Sequence, residues 1–212
     1  KVVCSHKDYH TGGLVGFARS NDTVSLKVKG VASQKFTYGT ATISNCVFQN
    51  CWSKREAGAL YLQNGGTVGI HLINNTFINN TAYGNKVTND NDLGGGAVLV
   101  KSASGSFTMI NSTFINNTSN YGGGIVFHSV NGGTITMTNA TFDGNKATFG
   151  EQNCGQGGGI WTKIKITVNN ITFSNGEAAH KGGGLYISNN AEMVYTNLTF
   201  INNTAINGGG LY

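Results

Sequence analysis

Apolar residues in this chain alternate over short stretches and then stop. Ile135-Thr-Met137-Thr-Asn139, Ile166-Thr-Val168-Asn-Asn170, Leu60-Tyr-Leu62 and Leu185-Tyr-Ile187 share this rhythm. It is the period of a strand with one buried face. Gly, Asn and Thr fill the gaps, and no stretch keeps the spacing of an amphipathic helix. A second, longer period overlies the first. Phe48, Phe77, Phe114, Phe142, Phe173 and Phe200 follow one another at gaps of 29, 37, 28, 31 and 27 residues. A period of two inside a period of about 28 describes short strands wound into coils, each coil resting on the next. The predicted fold is all-β: a right-handed parallel β-helix of about seven coils, residues 1–212 forming a single solenoid. The hand follows from the general preference of parallel crossovers.

Each phenylalanine sits in the same phrase. Asn111-Ser-Thr-Phe114-Ile-Asn116-Asn117-Thr is followed by Gly122-Gly123-Gly124-Ile125. Copies occur at 74–80 with 94–97, 139–145 with 157–160, 170–175 with 182–185 and 197–203 with 208–211. A degenerate copy spans 45–50 with Ala57-Gly58-Ala59-Leu60, and Gly12-Gly13-Leu14 is half a copy. From each Phe to the residue after the glycines the distance is 12, 20, 11, 18, 12 and 11. The excess marks corner insertions at 82–93 and 146–156, and a third lies at 19–38. Such corners tolerate added length because a coil touches only its neighbours.

Alternation assigns the faces. With the six phenylalanines pointing inward as a core stack, Cys46, Asn75, Ser112, Ala140, Ile171 and Leu198 also point inward, and Asn75 is the odd member. Leu14, Leu60, Ala97, Ile125, Ile160, Leu185 and Leu211 form a second inner column, with Gly16, Leu62, Leu99, Phe127, Thr162 and Ile187 two residues on. Stacked rings bury roughly 150 Å² or more each, a large term for so thin a core. The glycines shape a corner that every coil repeats, and their missing side chains let coils approach closely. A phosphate-binding loop is not indicated, since neither Lys-Ser/Thr nor a helix follows. The asparagines two and three after each Phe are expected to turn the chain or to hydrogen-bond along the column.

Composition sharpens the picture. The chain has 32 Gly, no Pro and only 11% charged residues, with a net charge of +5. Its bases are scattered rather than clustered with stacking aromatics, so nucleic acid is not an expected partner. No run of 18 apolar residues is present, so no membrane-spanning helix is expected in this segment. The carboxylates at 8, 22, 56, 90, 92, 143, 151, 177 and 192 never share a position in adjacent copies, and the histidines do not align either. No catalytic residue, metal site or cofactor is therefore assigned, and the chain is not expected to be an enzyme. Asn89-Asp90-Asn91-Asp92 is oxygen-rich but lacks the glycine and closing Glu of a calcium loop. Cys4 and Cys51 fall at nearly the same phase of successive copies, which predicts a disulfide between neighbouring coils. Cys46 with Cys51 is the rival pairing, buried thiols are the third reading, and Cys154 has no partner in phase.

The clearest chemical signal is the N-glycosylation acceptor Asn-x-Ser/Thr. It occurs ten times, at Asn21, Asn74, Asn79, Asn111, Asn116, Asn117, Asn139, Asn170, Asn197 and Asn202. Those three before a phenylalanine are placed outward, where they are free to carry N-linked glycans. All except Asn117 are taken as candidate sites. Glycans on adjacent coils would stand about 5 Å apart, so partial occupancy is expected.

Phe-x-x-Asn alternating with Gly-Gly-Ala-(Ile/Leu/Val) resembles the repeats of polymorphic outer membrane proteins, a family of autotransporter adhesins. The first half is met at 77–80, 114–117, 142–145 and 200–203, and missed where Cys51 and Gly176 stand. The second is met in full at Gly95-Gly96-Ala97-Val98. The resemblance implies a right-handed parallel β-helix at a cell surface, acting in adhesion. Both chain ends fall at a similar phase of the repeat and neither reads as a polar cap. This predicts either a segment of a longer solenoid or copies stacked end to end in a filament. Together these readings describe an extracellular structural or adhesive β-helical glycoprotein. The alternative is a binding module whose corner insertions recognise a cell-surface glycan or receptor; a polysaccharide-active enzyme is the third.

Overall fold

The computed structural model describes residues 23–25, 32–36, 40–64, 69–84, 94–101, 105–128, 134–149, 154–188 and 191–212. Every strand pairing among them is parallel, and the strands form three sheets that wrap one core. A ten-stranded sheet holds the phenylalanine segments, from Val47–Gln49 through Thr76–Ile78 and Thr113–Ile115 to Ile135–Asp143, Ile166–Ser174 and Met193–Ile201. A six-stranded sheet holds the segments after the glycines: Ala32–Phe36, Leu60–Asn64, Val98–Lys101, Ile125–Phe127, Ile160–Thr162 and Leu185–Ile187. A five-stranded sheet of two-residue strands closes the third side: Trp52–Ser53, Thr81–Ala82, Thr118–Ser119, Lys146–Ala147 and Glu177–Ala178.

The result is a parallel β-solenoid of about five turns with a period near 29 residues. Seven turns were expected from the number of glycine copies. A full turn requires all three sides, and among the described residues five strands line the short sheet. The first half copy, at 12–14, lies outside the described residues. The stretch read as an insertion at 19–38 contributes strands of its own. Thr23–Ser25 lies parallel to residues 42–44, and Ala32–Phe36 lies parallel to Leu60–Asn64.

The core is a stack of aromatic rings. Successive phenylalanines from Phe48 to Phe200 lie 4.9, 4.6, 4.7, 5.1 and 5.1 Å apart between centroids, with their planes nearly parallel. The spacing is that of the coils themselves, so each ring covers the face of the one below. Phe77 and Phe114 are fully buried. Cys46, Asn75, Ser112, Ala140 and Ile171 are buried beside them, and Leu198 in the last coil is half-buried.

One inner column differs from its sequence assignment. Val98, not Ala97, pairs with Leu60 and Ile125, and Val100, not Leu99, pairs with Leu62 and Phe127. Ala97 instead takes the place of the third glycine, its amide donating to the Gly124 carbonyl at 3.1 Å. A shift of one residue turns every side chain to the other face. Leu99 therefore faces outward with Val126, Trp161 and Tyr186, and all four are buried in a second apolar cluster that Tyr61 and Tyr121 flank. This sheet is thus covered on both faces, as parallel sheets commonly are.

The glycine corner has two distinct requirements. The first glycine has positive φ, 43° at Gly122, 71° at Gly157 and 63° at Gly182, a region disfavoured for residues with a Cβ. The second is held by contact: a Cβ on Gly123 would sit 2.4 Å from the Gly158 carbonyl oxygen.

Candidate functional site

The asparagines of each copy divide into three columns with different duties. Asn45, Asn74, Asn111, Asn139, Asn170 and Asn197 all have φ between 50° and 55°. Asn50, Asn79, Asn116, Asn175 and Asn202 form a second such column, with φ from 52° to 57°. Gly144 takes its place in the coil of Phe142, with φ of 63°. Among residues with a Cβ, Asn is one of the few that visits this region readily. These residues bend the long sheet before and after each phenylalanine segment. Their side chains are exposed. In the first column the amides hydrogen-bond from coil to coil. Asn74 Nδ2 donates to Asn45 Oδ1 at 3.3 Å, Asn139 to Asn111 at 3.1 Å and Asn170 to Asn139 at 2.9 Å.

The left-handed bend changes which residues face inward. Phe114 points in and Ile115 out, so strict alternation would send Asn116 in and Asn117 out. Asn116 is instead exposed and Asn117 is fully buried. Asn80, Asn117 and Asn145 thereby form a third, internal column. The Asn117 Oδ1 accepts the Asn80 amide at 2.9 Å, and its Nδ2 donates to the Phe77 carbonyl at 3.0 Å and to Asn145 Oδ1 at 2.9 Å. Asn80 makes the same contacts one coil earlier, to the Cys51 amide and the Phe48 carbonyl at 3.0 Å each. Buried amides are costly unless paired, and here both ends are paired.

The pattern explains the two copies that lack this asparagine. Each Asn serves the coil before it, so Cys51 needs only Asn80 above it. At Gly176, Asn203 Oδ1 accepts the glycine amide at 2.8 Å. Asn75 is equally well placed: its Oδ1 accepts the Cys46 amide at 3.0 Å and its Nδ2 donates to the Ile43 carbonyl at 2.8 Å. The column hydrogen bonding expected of these asparagines is thus made by the second Asn of each pair, because the left-handed residue before it reverses the period-two alternation.

Among the acceptor asparagines, Asn74, Asn79, Asn111, Asn116, Asn139, Asn170, Asn197 and Asn202 lie on the two exposed columns. Asn117 is sealed in the core. Asn21 lies outside the described residues, as does Cys4 of the expected disulfide. Cys51 is buried, with its sulfur 3.6 Å from the Gln49 carbonyl oxygen, and the Cys46 sulfur lies 3.2 Å from that of Ser44. Cys154 is buried.

Two further surface features come from folding alone. Tyr83, from the insertion at 82–93, stacks on Phe149 of the insertion at 146–156, with centroids 5.3 Å apart. Trp52 meets Tyr83 edge-on at 6.2 Å. On the six-stranded sheet, burial pushes the Tyr61 hydroxyl up to about 12, aided by the nearby Glu56 carboxylate.

The Chlamydia polymorphic membrane protein repeat matches residues 139–163 and 197–212. No curated protein and no solved structure matches the chain. The matched segments carry Phe142, Asn145, Gly157–Gly159 and Ile160, then Phe200, Asn203, Gly208–Gly210 and Leu211. These residues build the ring stack, the internal amide column and the close-packed corner, and the chain is a parallel β-helix with coils similar to the Chlamydia polymorphic membrane protein repeat over those two segments.

Proposed function

We propose that this chain is the rod of a surface-exposed, non-enzymatic adhesive protein that carries N-linked glycans on its outer asparagine columns. The reading is supported by the repeat match together with one observation. The Phe, the inner Asn and the glycines of the repeat are engaged inside the solenoid, in the ring stack, the amide column and the corner. The Asn before each phenylalanine segment recurs in all six copies and is exposed, so it is what the fold presents outward from coil to coil. A rod of this kind holds a surface at a fixed distance from its anchor and repeats it along its length.

The experiment is surface labelling of intact source cells, followed by adhesion of the purified chain to target cells and by intact mass before and after enzymatic glycan removal. Accessible label, adhesion that saturates and a fall in mass are expected. Label found only after lysis would overturn the surface rod, and an unchanged mass would overturn the glycans. Electron microscopy of the same material tests whether copies associate end to end, and short separate particles would exclude a filament.

A further inference from the structure

We propose that Trp52, Lys54, Arg55, Tyr83 and Phe149 form a binding site for an acidic oligosaccharide on the outer side of the five-stranded sheet; the proposal rests on the reading of the chain as an adhesive rod. Trp52 is 43% exposed and Tyr83 50% exposed. Large rings left this open on a sheet face are normally covered in the interior or used. Here they are brought together from separate coils. Trp52 and Tyr83 meet at 79° between ring planes, while Tyr83 and Phe149 lie within 17° of parallel. The coil between Tyr83 and Phe149 supplies Asn120 at this position. That side chain is buried, accepting the Gly94 amide at 2.9 Å, so Phe149 can reach across to Tyr83.

Strand register supplies the surroundings. Trp52 lies beside Thr81, and Thr81 beside Thr118, which sets one hydroxyl-bearing side chain next to the indole and a second one coil farther along the axis. Ser53 pairs with Ala82, and the Tyr83 amide donates to the Ser53 carbonyl at 3.1 Å, so Lys54 stands next to Tyr83. Lys54 and Arg55 are exposed. A pyranose has an apolar C–H face and a rim of hydroxyls, which match an aromatic ring beside threonines. Coils rise by about 4.8 Å, close to the length of one unit in an extended oligosaccharide, so successive sugars meet successive coils.

The charge selects the acidic class. Lys54 and Arg55 are cationic, the chain carries +5, and the Glu177 carboxylate farther along the same outer column is held by Lys146 at 2.8 Å. A carboxylate or sulfate on the ligand complements this surface.

The two tryptophans of the chain allow a direct readout, because Trp52 is 43% exposed and Trp161 only 2%. The purified chain is titrated with a heparin hexasaccharide and with an oligosialic acid hexamer, using chitohexaose and a thymidine hexanucleotide as comparators. At least one acidic hexamer is expected to shift the Trp52 emission and shield it from acrylamide. By calorimetry, Trp52→Ala and the double change Lys54→Ala with Arg55→Ala are each expected to weaken binding about tenfold. Circular dichroism should stay unchanged, and the unfolding midpoint should fall only by the loss of the Trp52–Tyr83 ring contact and of the contacts Lys54 and Arg55 make within the chain. Lack of binding by both acidic hexamers would overturn the proposal. So would equal binding of chitohexaose or the hexanucleotide, or full affinity in Trp52→Ala. Cells that still bind the chain despite a negative titration would remove this site and leave the rod reading standing. Positive titration of a chain found only inside cells would do the reverse.

Discussion

Replacing Asn117 with Ala removes four hydrogen bonds from a site with no access to water. The lost bonds are from the Asn80 amide and the Asn80 Nδ2, and to the Phe77 carbonyl and the Asn145 Oδ1. Two of these partners keep another bond, Asn80 Nδ2 to the Phe48 carbonyl and Asn145 Oδ1 from the Asn117 amide. The Asn80 amide and the Phe77 carbonyl both lose their side-chain partner. At about 1–3 kcal/mol for the Asn80 amide left unsatisfied and about 1 kcal/mol for each of the other bonds, the expected loss is about 4 kcal/mol. Asn79→Ala is the matched comparison. It places Ala in the left-handed region on the exposed column, at about 1–2 kcal/mol. The assay is urea unfolding by circular dichroism, comparing midpoints at constant slope. Asn117→Asp gives an independent check. Its carboxylate would be buried facing the Phe77 carbonyl and Asn145 Oδ1, which raises its folded-state value above the usual 3.9 or so. The folded form then holds its proton more tightly than the unfolded form. Stability of that variant is therefore greatest below the unfolded value and is lost as pH rises through the folded one. An Asn117→Ala loss no larger than that of Asn79→Ala would refute the internal column as a stabilising element.

Other consequences follow from the corner, the bends and the outer sheet. Gly123→Ala drives a Cβ to 2.4 Å from the Gly158 oxygen and 2.5 Å from the Lys146 nitrogen, both backbone atoms, so a loss of about 3 kcal/mol or more is expected in thermal unfolding. Gly124→Ala also drives a Cβ to 2.6 Å from the Gly159 oxygen and 2.8 Å from the Phe142 ring, so it too should destabilise, but by less than Gly123→Ala, because Ala59 and Ala97 occupy the equivalent place in their coils; a larger loss than at Gly123 would contradict this. Asn139, with φ of 53°, should lose about 1–2 kcal/mol as Ala and under about 1 kcal/mol as Gly, measured by urea midpoint. Tyr61 is held protonated up to about 12. The unfolded chain releases that proton earlier, so stability should fall as pH rises from the ordinary tyrosine range, near 10, towards 12. Ultraviolet titration should show one late phenol that moves earlier in Glu56→Gln, and a single phase near the ordinary value would exclude it.

Much of this architecture can be read from the chain alone. Phe48 to Phe200 recur at the coil period, so their stacking follows from counting, as does the glycine corner. Parallel winding follows because equal positions in equal repeats can only pair in phase. The asparagine columns required the folded backbone. A left-handed residue between two strands reverses the alternation, so Asn116 turns outward and Asn117 inward, although both look like turn residues in sequence. The register of Val98 was likewise undecidable by counting, because Gly94-Gly95-Gly96-Ala97 offers two frames. Only pairing with Leu60 and Ile125 chooses between them, and that choice sends Leu99 to the outer cluster. Tyr83, Phe149 and Trp52 lie in three different copies and belong to no motif. What brings them together is the stacking of coils, a long-range property that local pattern does not encode.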